Sequence, residues 1–181
     1  MRDAPPEPWL SFLNALDVDI DEPVDLHCIG GFAVVQAYGL GRGTSDIDVL
    51  SVVPYSSGAR LMELAGKESP LRCRHKVYLD IVTVAPAPEN YADRLVPLYP
   101  SRWRRLHLFV LEAHDLALTK LERNFERDRA DVEHLARSGY LNATTLRARY
   151  FDEFRPYAIG RESWHDQTLE LWIEAYLSNQ R

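Results

Sequence analysis

The sequence is poor in cysteine and has no long apolar run. Cys28 and Cys73 are its two cysteines, too few for the disulfide framework of a small secreted domain. No run of about 18 apolar residues is present, so we expect neither a membrane span nor a membrane partner. The first residues lack the apolar segment of a signal peptide, and a cytoplasmic location is therefore the expectation. The histidines show no zinc-type spacing with the cysteines, which argues against a structural zinc site.

Positive charge is also scarce. The net charge of −6 over 181 residues is not that of a general nucleic-acid binder. A content of 46% apolar and 27% charged residues is typical of a globular protein with a real core. Two basic clusters, at 72–76 and 102–105, stand out against this acidic background. They are either candidate contacts to a phosphorylated ligand or an RNA acceptor, or solvated rims of strands.

Hydrophobic periodicity predicts an α+β fold, a mixed sheet flanked by helices. Strands are predicted at 24–29, 46–53, 76–84 and 106–111, and helices at 9–16, 32–38, 58–68, 113–124, 128–138, 143–155 and 166–178. The proline-rich stretch 85–100 is predicted to be a loop with one turn near 91–95. Strand patterns stop near residue 111. We therefore expect an α/β core at 1–111 and a helical part at 112–181 that packs on it.

The second and third predicted strands carry the residues with the clearest chemistry. Asp46 and Asp48 are two positions apart, so both carboxylates project from one face of a strand. Such a pair is costly unless a cation lies between the charges, and Mg²⁺, or alternatively Mn²⁺, suits carboxylates together with substrate phosphates. Asp80 is the single charge in the run 77–84, and alone it could be an edge-exposed or hydrogen-bonded residue. Beside Asp46 and Asp48 it would complete a ligand set for two Mg²⁺ ions.

Gly30-Gly31 opens the predicted helix after the first strand. There the backbone N–H groups and the positive helix end could bind an anion, although glycines at strand ends are also common as plain turns. The loop before Asp46 adds a cation and two hydroxyls, from Arg42, Thr44 and Ser45. We interpret this loop and the glycines as a candidate nucleotide phosphate site.

The segments 30–34 and 45–49, ten residues apart, followed by Asp80 in a later strand, resemble the polymerase-β-type nucleotidyltransferase superfamily. The resemblance covers about residues 24–138 and is firmest over 28–50. Many superfamily members have Gly-Ser where this chain has Gly-Gly, so backbone N–H groups alone would have to bind phosphate here.

The sequence motif Arg42-x-Thr44-x-Asp46-Ile47-Asp48 and the helical C-terminal part resemble those of small bacterial stand-alone nucleotidyltransferases, including AbiEii-type toxins. Lincosamide-type antibiotic nucleotidyltransferases have a similar Gly-Gly opening. The resemblance implies that Gly30 and Gly31 cradle the triphosphate, and that the carboxylates hold both metals. It also implies that Asp80 holds the catalytic metal and helps to deprotonate the acceptor hydroxyl.

A downstream Asp-x-x-x-x-Lys helix of the AbiEii-like members is matched by Asp115 and Lys120. The resemblance implies that Lys120 contacts nucleotide phosphates; the alternative is a lysine at the edge of a core face. Asp128 and Asp131 resemble a further family motif but also fit a helix N-cap pair, so they stay outside the predicted catalytic set.

The function expected from these residues is transfer of a nucleoside monophosphate from an NTP to an acceptor hydroxyl or phosphate. The acceptor is left open among an RNA end, a protein side chain and a small molecule. One alternative is a non-catalytic member of the fold that acts through a partner, such as one component of a toxin–antitoxin pair. Another is a structural α/β domain with coincidental aspartates.

Overall fold

Residues 3–82, 85–158 and 161–178 are described by the computed structural model, in which the chain forms two units. The first, here called the sheet unit, comprises Met1–Thr83 and Leu95–Val110. The second, the helical unit, comprises Val84–Arg94 and Leu111–Arg181. In the described part of the chain, no helix combines the length and apolar character needed to cross a membrane.

The sheet unit is built on five strands in the order β3-β2-β1-β5-β4. Its elements are α1 (Trp9–Asp19), β1 (Val24–Ile29), α2 (Gly30–Tyr38), β2 (Asp46–Val53), α3 (Gly58–Ala65), α4 (Pro70–His75), β3 (Tyr78–Ile81), β4 (Val96–Leu98) and β5 (Leu106–Val110). The β1–β2 and β4–β5 pairs are antiparallel, whereas β1–β5 and β2–β3 are parallel. This mixed sheet with helices confirms the predicted α+β class.

One face of the sheet forms the core of this unit. Along β5, Leu106, Leu108 and Val110 are buried and alternate with half-buried residues, as expected for a strand with one covered face. Trp9 of α1 packs edge to face on Phe32 of α2, with ring centroids 5.0 Å apart. The opposite face of the sheet is therefore available for polar side chains.

The helical unit contains α5 (Ala113–Leu118), α6 (Glu126–Arg137), α7 (Ala143–Arg149) and α8 (Glu162–Trp172), with π-helical turns at Tyr150–Phe154 and Ile173–Leu177. Arg94 ties the segment Val84–Arg94 to these helices. Its guanidinium donates to the buried Asp115 at 2.8 and 3.1 Å and to Glu153 at 2.7 Å. Two hydrogen bonds between one guanidinium and one carboxylate fix the relative orientation of the two groups in addition to pairing their charges.

Glu112 and His114 extend this charge cluster. Burial raises the pKa of the Glu112 carboxyl, but the hydrogen bond from the His114 side chain and the guanidinium of Arg149 outweigh burial and lower this pKa to about 2. The His114 Nε2 also accepts the backbone N–H of Asn142 at 2.9 Å. The start of α5 is thus held by ionised side chains on neighbouring elements of its own unit.

The structure differs from the sequence prediction at several elements. The basic cluster 72–76, for which the rim of a strand was one alternative, lies instead in the helix α4 and its C-cap residue; Ser69 caps this helix and Pro70 starts it. A short strand, β4, lies in the predicted loop 85–100. The helix predicted at 113–124 ends at Leu118, where the Thr119 hydroxyl donates to the Leu116 carbonyl and competes with helical bonding.

Two further boundaries differ. The third strand ends at Ile81; Thr83 and Val84, which the prediction included, lie outside the described residues. The helix predicted at 143–155 is α-helical only to Arg149 and then widens into a π-helical turn. Such a turn shifts the register of the following side chains, and the 3.6-residue periodicity of a sequence does not reveal it.

Candidate active site

The three predicted carboxylates lie at adjacent positions on two neighbouring strands. In the parallel pairing of β2 and β3, Asp48 is directly opposite Asp80, and Asp46 is opposite Tyr78. Asp46 and Asp48 alternate with the buried Ile47, so their carboxylates are on the face of the sheet away from the core. Neighbouring strands are about 4.8 Å apart, so these like charges lie close together and a cation bound between them would be favourable.

Solvent can reach this group. Asp46 and Asp48 are half-buried and Asp80 is exposed. Carboxylates in this setting are open to a ligand from the solvent side while their backbones are fixed in the sheet ladder. The sequence analysis made Asp80 a third ligand on the condition that its strand lies beside that of Asp46 and Asp48, and the β2–β3 pairing meets this condition.

Gly30 connects β1 to α2 and lies against Asp48. Ile29 is paired with Asp48 across the β1–β2 ladder, and Gly30 follows with φ +68°, a conformation that favours glycine. A Cβ built on Gly30 would be 1.8 Å from the Asp48 Oδ2 atom. Only glycine therefore lets the backbone approach this carboxylate so closely.

The N-terminal end of α2 is at the same place. This helix has nine residues and begins with Gly30 and Gly31, and its cap residue Ile29 makes no side-chain capping bond. The first N–H groups of a helix have no partner within the helix, and they carry partial positive charge. The fold thus brings the positive end of α2 next to Asp48, and the binding of phosphate there stays a prediction.

The loop before β2 orients Asp46. Thr44 donates its hydroxyl to the Asp46 Oδ1 atom at 2.9 Å, and the Ser45 carbonyl accepts the backbone N–H of Tyr78 at 3.2 Å. Arg42 is half-buried in the same loop. Of the predicted loop residues, Thr44 has direct contact with a site carboxylate, and Ser45 joins the loop to β3.

Tyr78 is a site residue that the sequence analysis did not include. Burial and the nearby carboxylates, Asp46 first, raise the pKa of its phenol above the ordinary value, so its hydroxyl lies in the field of Asp46. The signal was available, because Tyr78 precedes Asp80 by two positions and so shares its strand face.

Cys28 lies beneath the site on the core side. It is fully buried, and burial together with the charge of Asp48 raises the pKa of its thiol. A thiol in this environment stays protonated and is a poor nucleophile or metal ligand. Cys28 is therefore a packing residue of β1.

Lys120 belongs to the helical unit, whereas the other predicted site residues belong to the sheet unit. Its side chain is buried, and its ammonium donates to Asp131 at 2.7 Å and lies 3.8 Å from Asp128. Asp128 accepts the Phe125 N–H at 3.2 Å, which is the helix-start role that the sequence left open. The assignment of Lys120 to nucleotide phosphate stays a prediction.

Replacing Lys120 with methionine tests that assignment. Loss of the ammonium leaves the Asp131 charge buried without its cation, so the free energy of unfolding should fall by about 3 kcal/mol. Urea denaturation measures this change, and Lys120→Met/Asp131→Leu should restore part of the loss. A single variant with unchanged stability but weaker nucleotide binding would instead favour the phosphate contact.

The donor set at the carboxylates consists of hard oxygens, which suit Mg²⁺ or Mn²⁺. Among the residues that the structure describes, no group of three or more His, Cys, Asp or Glu side chains is arranged to hold a metal ion. Mg²⁺ is commonly bound by one or two carboxylates, with substrate phosphates and water filling the other positions. One or two carboxylates from the set Asp46, Asp48 and Asp80 fit this kind of site, in which the nucleotide would supply part of the coordination.

A family model described as nucleotidyltransferase of unknown function (DUF6036) matches residues 11–181. The chain belongs to this family. Membership confirms the predicted relation to the nucleotidyltransferase superfamily and gives the chain a general nucleotidyltransferase role. No curated protein and no solved structure matches this DUF6036 nucleotidyltransferase significantly.

Proposed function

We propose that this DUF6036 nucleotidyltransferase uses a divalent metal to transfer a nucleoside monophosphate from an NTP to a hydroxyl or phosphate oxygen of an acceptor. The observation that carries the proposal is the register of β2 and β3, in which Asp48 is opposite Asp80 while Gly30 lies against Asp48. Phosphoryl transfer depends mainly on positioning and on charge stabilisation. The carboxylates and the adjacent helix end are suited to both tasks.

In the proposed reaction, an acceptor oxygen forms a bond to the α-phosphorus of the NTP. The bond from that phosphorus to the oxygen bridging to the β-phosphate breaks, and pyrophosphate leaves. Asp80 receives the proton of an acceptor hydroxyl on a carboxylate oxygen. Mg²⁺, or Mn²⁺, held by Asp46, Asp48 and Asp80, would neutralise the charge on the phosphate oxygens.

The remaining residues position the donor. Backbone N–H groups of Gly30 and Gly31 at the start of α2 would bind triphosphate oxygens. Thr44 holds the Asp46 carboxylate in one orientation by its hydrogen bond, which favours a single geometry for the bound nucleotide. Arg42 and Ser45 line the loop that leads to these groups and are proposed phosphate contacts.

Calorimetric titration with ATP, GTP, CTP and UTP, each with Mg²⁺ and with EDTA, tests the proposal. We expect one NTP to bind in a metal-dependent manner to the wild-type chain. Asp46→Asn should weaken this binding at least about tenfold, because one metal ligand loses its charge. Metal-independent binding, or equal binding by the variant, would contradict the assignment. Circular dichroism controls for the fold of the variant.

A further inference from the structure

We propose that the acceptor is the end of a single-stranded nucleic acid that lies along a basic edge of the sheet unit, formed by Arg72, Arg74 and Lys76. The inference rests on the proposed function. It adds the chemical class of the acceptor and the surface that binds it. The observations that carry it are the position, the exposure and the pairing of these three side chains.

The basic edge is next to β3 in the chain. Lys76 follows the last residue of α4 and precedes Tyr78, which is opposite Asp46, by two positions. Two residues span at most about 7 Å of backbone. A nucleic acid bound at Lys76 therefore has only a short distance to cover to reach the start of β3. β3 is an outer strand of the sheet, so nothing in the sheet lies beyond it.

The charges of the basic edge are available. Arg72, Arg74 and Lys76 are exposed. Within the described residues, the guanidinium groups of Arg72 and Arg74 make no hydrogen bond or ion pair, and the Lys76 ammonium donates to the Cys73 carbonyl at 2.8 Å rather than to a carboxylate.

The helical unit differs from the basic edge, because several of its arginines form ion pairs with carboxylates of the same unit. Arg94, Arg147 and Arg155 are each bonded to a carboxylate within 2.8 Å. A chain with net charge −6 has enough carboxylates to pair its cations, yet in the part of the chain that the structure describes no carboxylate pairs with a cation of the basic edge. Cations of this kind attract anionic ligands from solution.

The arrangement favours a polyanion over a single phosphate. Side chains two positions apart on a helix do not face each other, so Arg72 and Arg74 cannot converge on one small anion. They can contact successive phosphates of a strand. Each such contact releases counterions and makes binding depend on salt.

Donor and acceptor would then approach from opposite sides of β2. β1, with Gly30 and the start of α2, lies on one side of β2, and β3 with the basic edge lies on the other. The triphosphate is proposed to bind at α2. The acceptor would then bind on the β3 side of β2. Asp80 lies on β3, and Lys76 of the basic edge precedes this strand.

The test compares two double charge reversals that change net charge equally. Arg72→Glu/Arg74→Glu alters the basic edge. Arg102→Glu/Arg104→Glu is the matched control, because these arginines are also exposed but precede β5, whose first residue pairs with Val24 at the far end of β1 from Asp48. The six residues of β1 separate the two ends by about 17 Å.

Fluorescence anisotropy of a labelled 12-nucleotide RNA, and of DNA of the same sequence, is measured with the full chain between 50 and 200 mM NaCl. We expect Arg72→Glu/Arg74→Glu to weaken binding at least about tenfold at low salt and to reduce the slope of log K against log salt by about 1.4. The control should stay within about twofold of wild type. The comparison of RNA with DNA shows whether the acceptor site prefers ribose or deoxyribose.

Several outcomes would overturn the inference. Absence of strand binding by the wild type, or equal losses in the two double variants, would remove the basic edge as an acceptor surface. Loss of Mg²⁺-NTP binding in Arg72→Glu/Arg74→Glu would assign these arginines to the donor nucleotide. Wild-type binding of NTP without binding of either strand refutes the inference and leaves the proposed function intact. Strand binding without NTP binding refutes the proposed function.

Discussion

Gly30→Ala is expected to abolish metal-dependent nucleotide binding, with a loss of affinity of more than about 100-fold. The new methyl group would be 1.8 Å from the Asp48 Oδ2 atom, so the carboxylate must rotate away from its position. The φ of +68° adds a backbone penalty of about 1 kcal/mol for a residue with a Cβ. The measurement is calorimetric titration with the preferred NTP, together with urea denaturation.

Gly39→Ala separates the two causes. Gly39 ends α2 with φ +76°, and a Cβ there would have nothing within 4 Å. This variant should lose the same stability of about 1 kcal/mol and keep its nucleotide affinity. If Gly39→Ala and Gly30→Ala reduced binding to the same extent, backbone strain in α2 would be the cause, and the contact with Asp48 would have no role.

Asp80→Asn is expected to lower the rate of nucleotidyl transfer at least about 10³-fold while NTP binding stays within about twofold. The amide keeps the size of the side chain but lacks the charge that would hold the catalytic metal and accept a proton. Asp80 is exposed at an outer strand, so the fold should not change. Transfer is measured with NTP labelled at the α-phosphate and the RNA strand as acceptor.

Electron paramagnetic resonance of bound Mn²⁺ gives a second readout for this variant that needs no acceptor. With a non-hydrolysable NTP analogue, the wild type should take up two ions and Asp80→Asn one. Equal uptake by the two proteins would show that Asp80 holds no metal. A variant that also loses NTP binding would place Asp80 at the nucleotide-binding metal rather than at the catalytic one.

The strands β1 and β2 were predictable because apolar and polar residues alternate along much of their sequences. The bounds of β1 and β2 match the prediction residue for residue, since turn residues and a proline close them. Gly39 ends α2 in the left-handed conformation, which is a typical helix stop. Local pattern and tertiary structure agree in these elements, and the positions of Asp46, Asp48 and Gly30 followed from them.

Other features depend on contacts that a local pattern does not encode. The helix α4 has six residues and one buried side chain, so it gives no apolar stripe to detect. β4 contains a proline and has three residues, and it forms because β5 offers a free edge. The partners of Lys120 come from the following helix, 11 residues away for Asp131, and only the fold brings them together.

The path of the chain has a consequence for how this protein can be shortened or recombined. The segment Val84–Arg94 leaves the sheet unit after β3, contributes Arg94 to the helical unit, and the chain then returns for β4 and β5. A gene truncated after residue 111 would therefore encode an arginine whose partners, Asp115 and Glu153, are missing. Neither unit is one continuous segment of the chain, so exchange of the helical unit between relatives requires three crossovers, one at each junction between the units, rather than one.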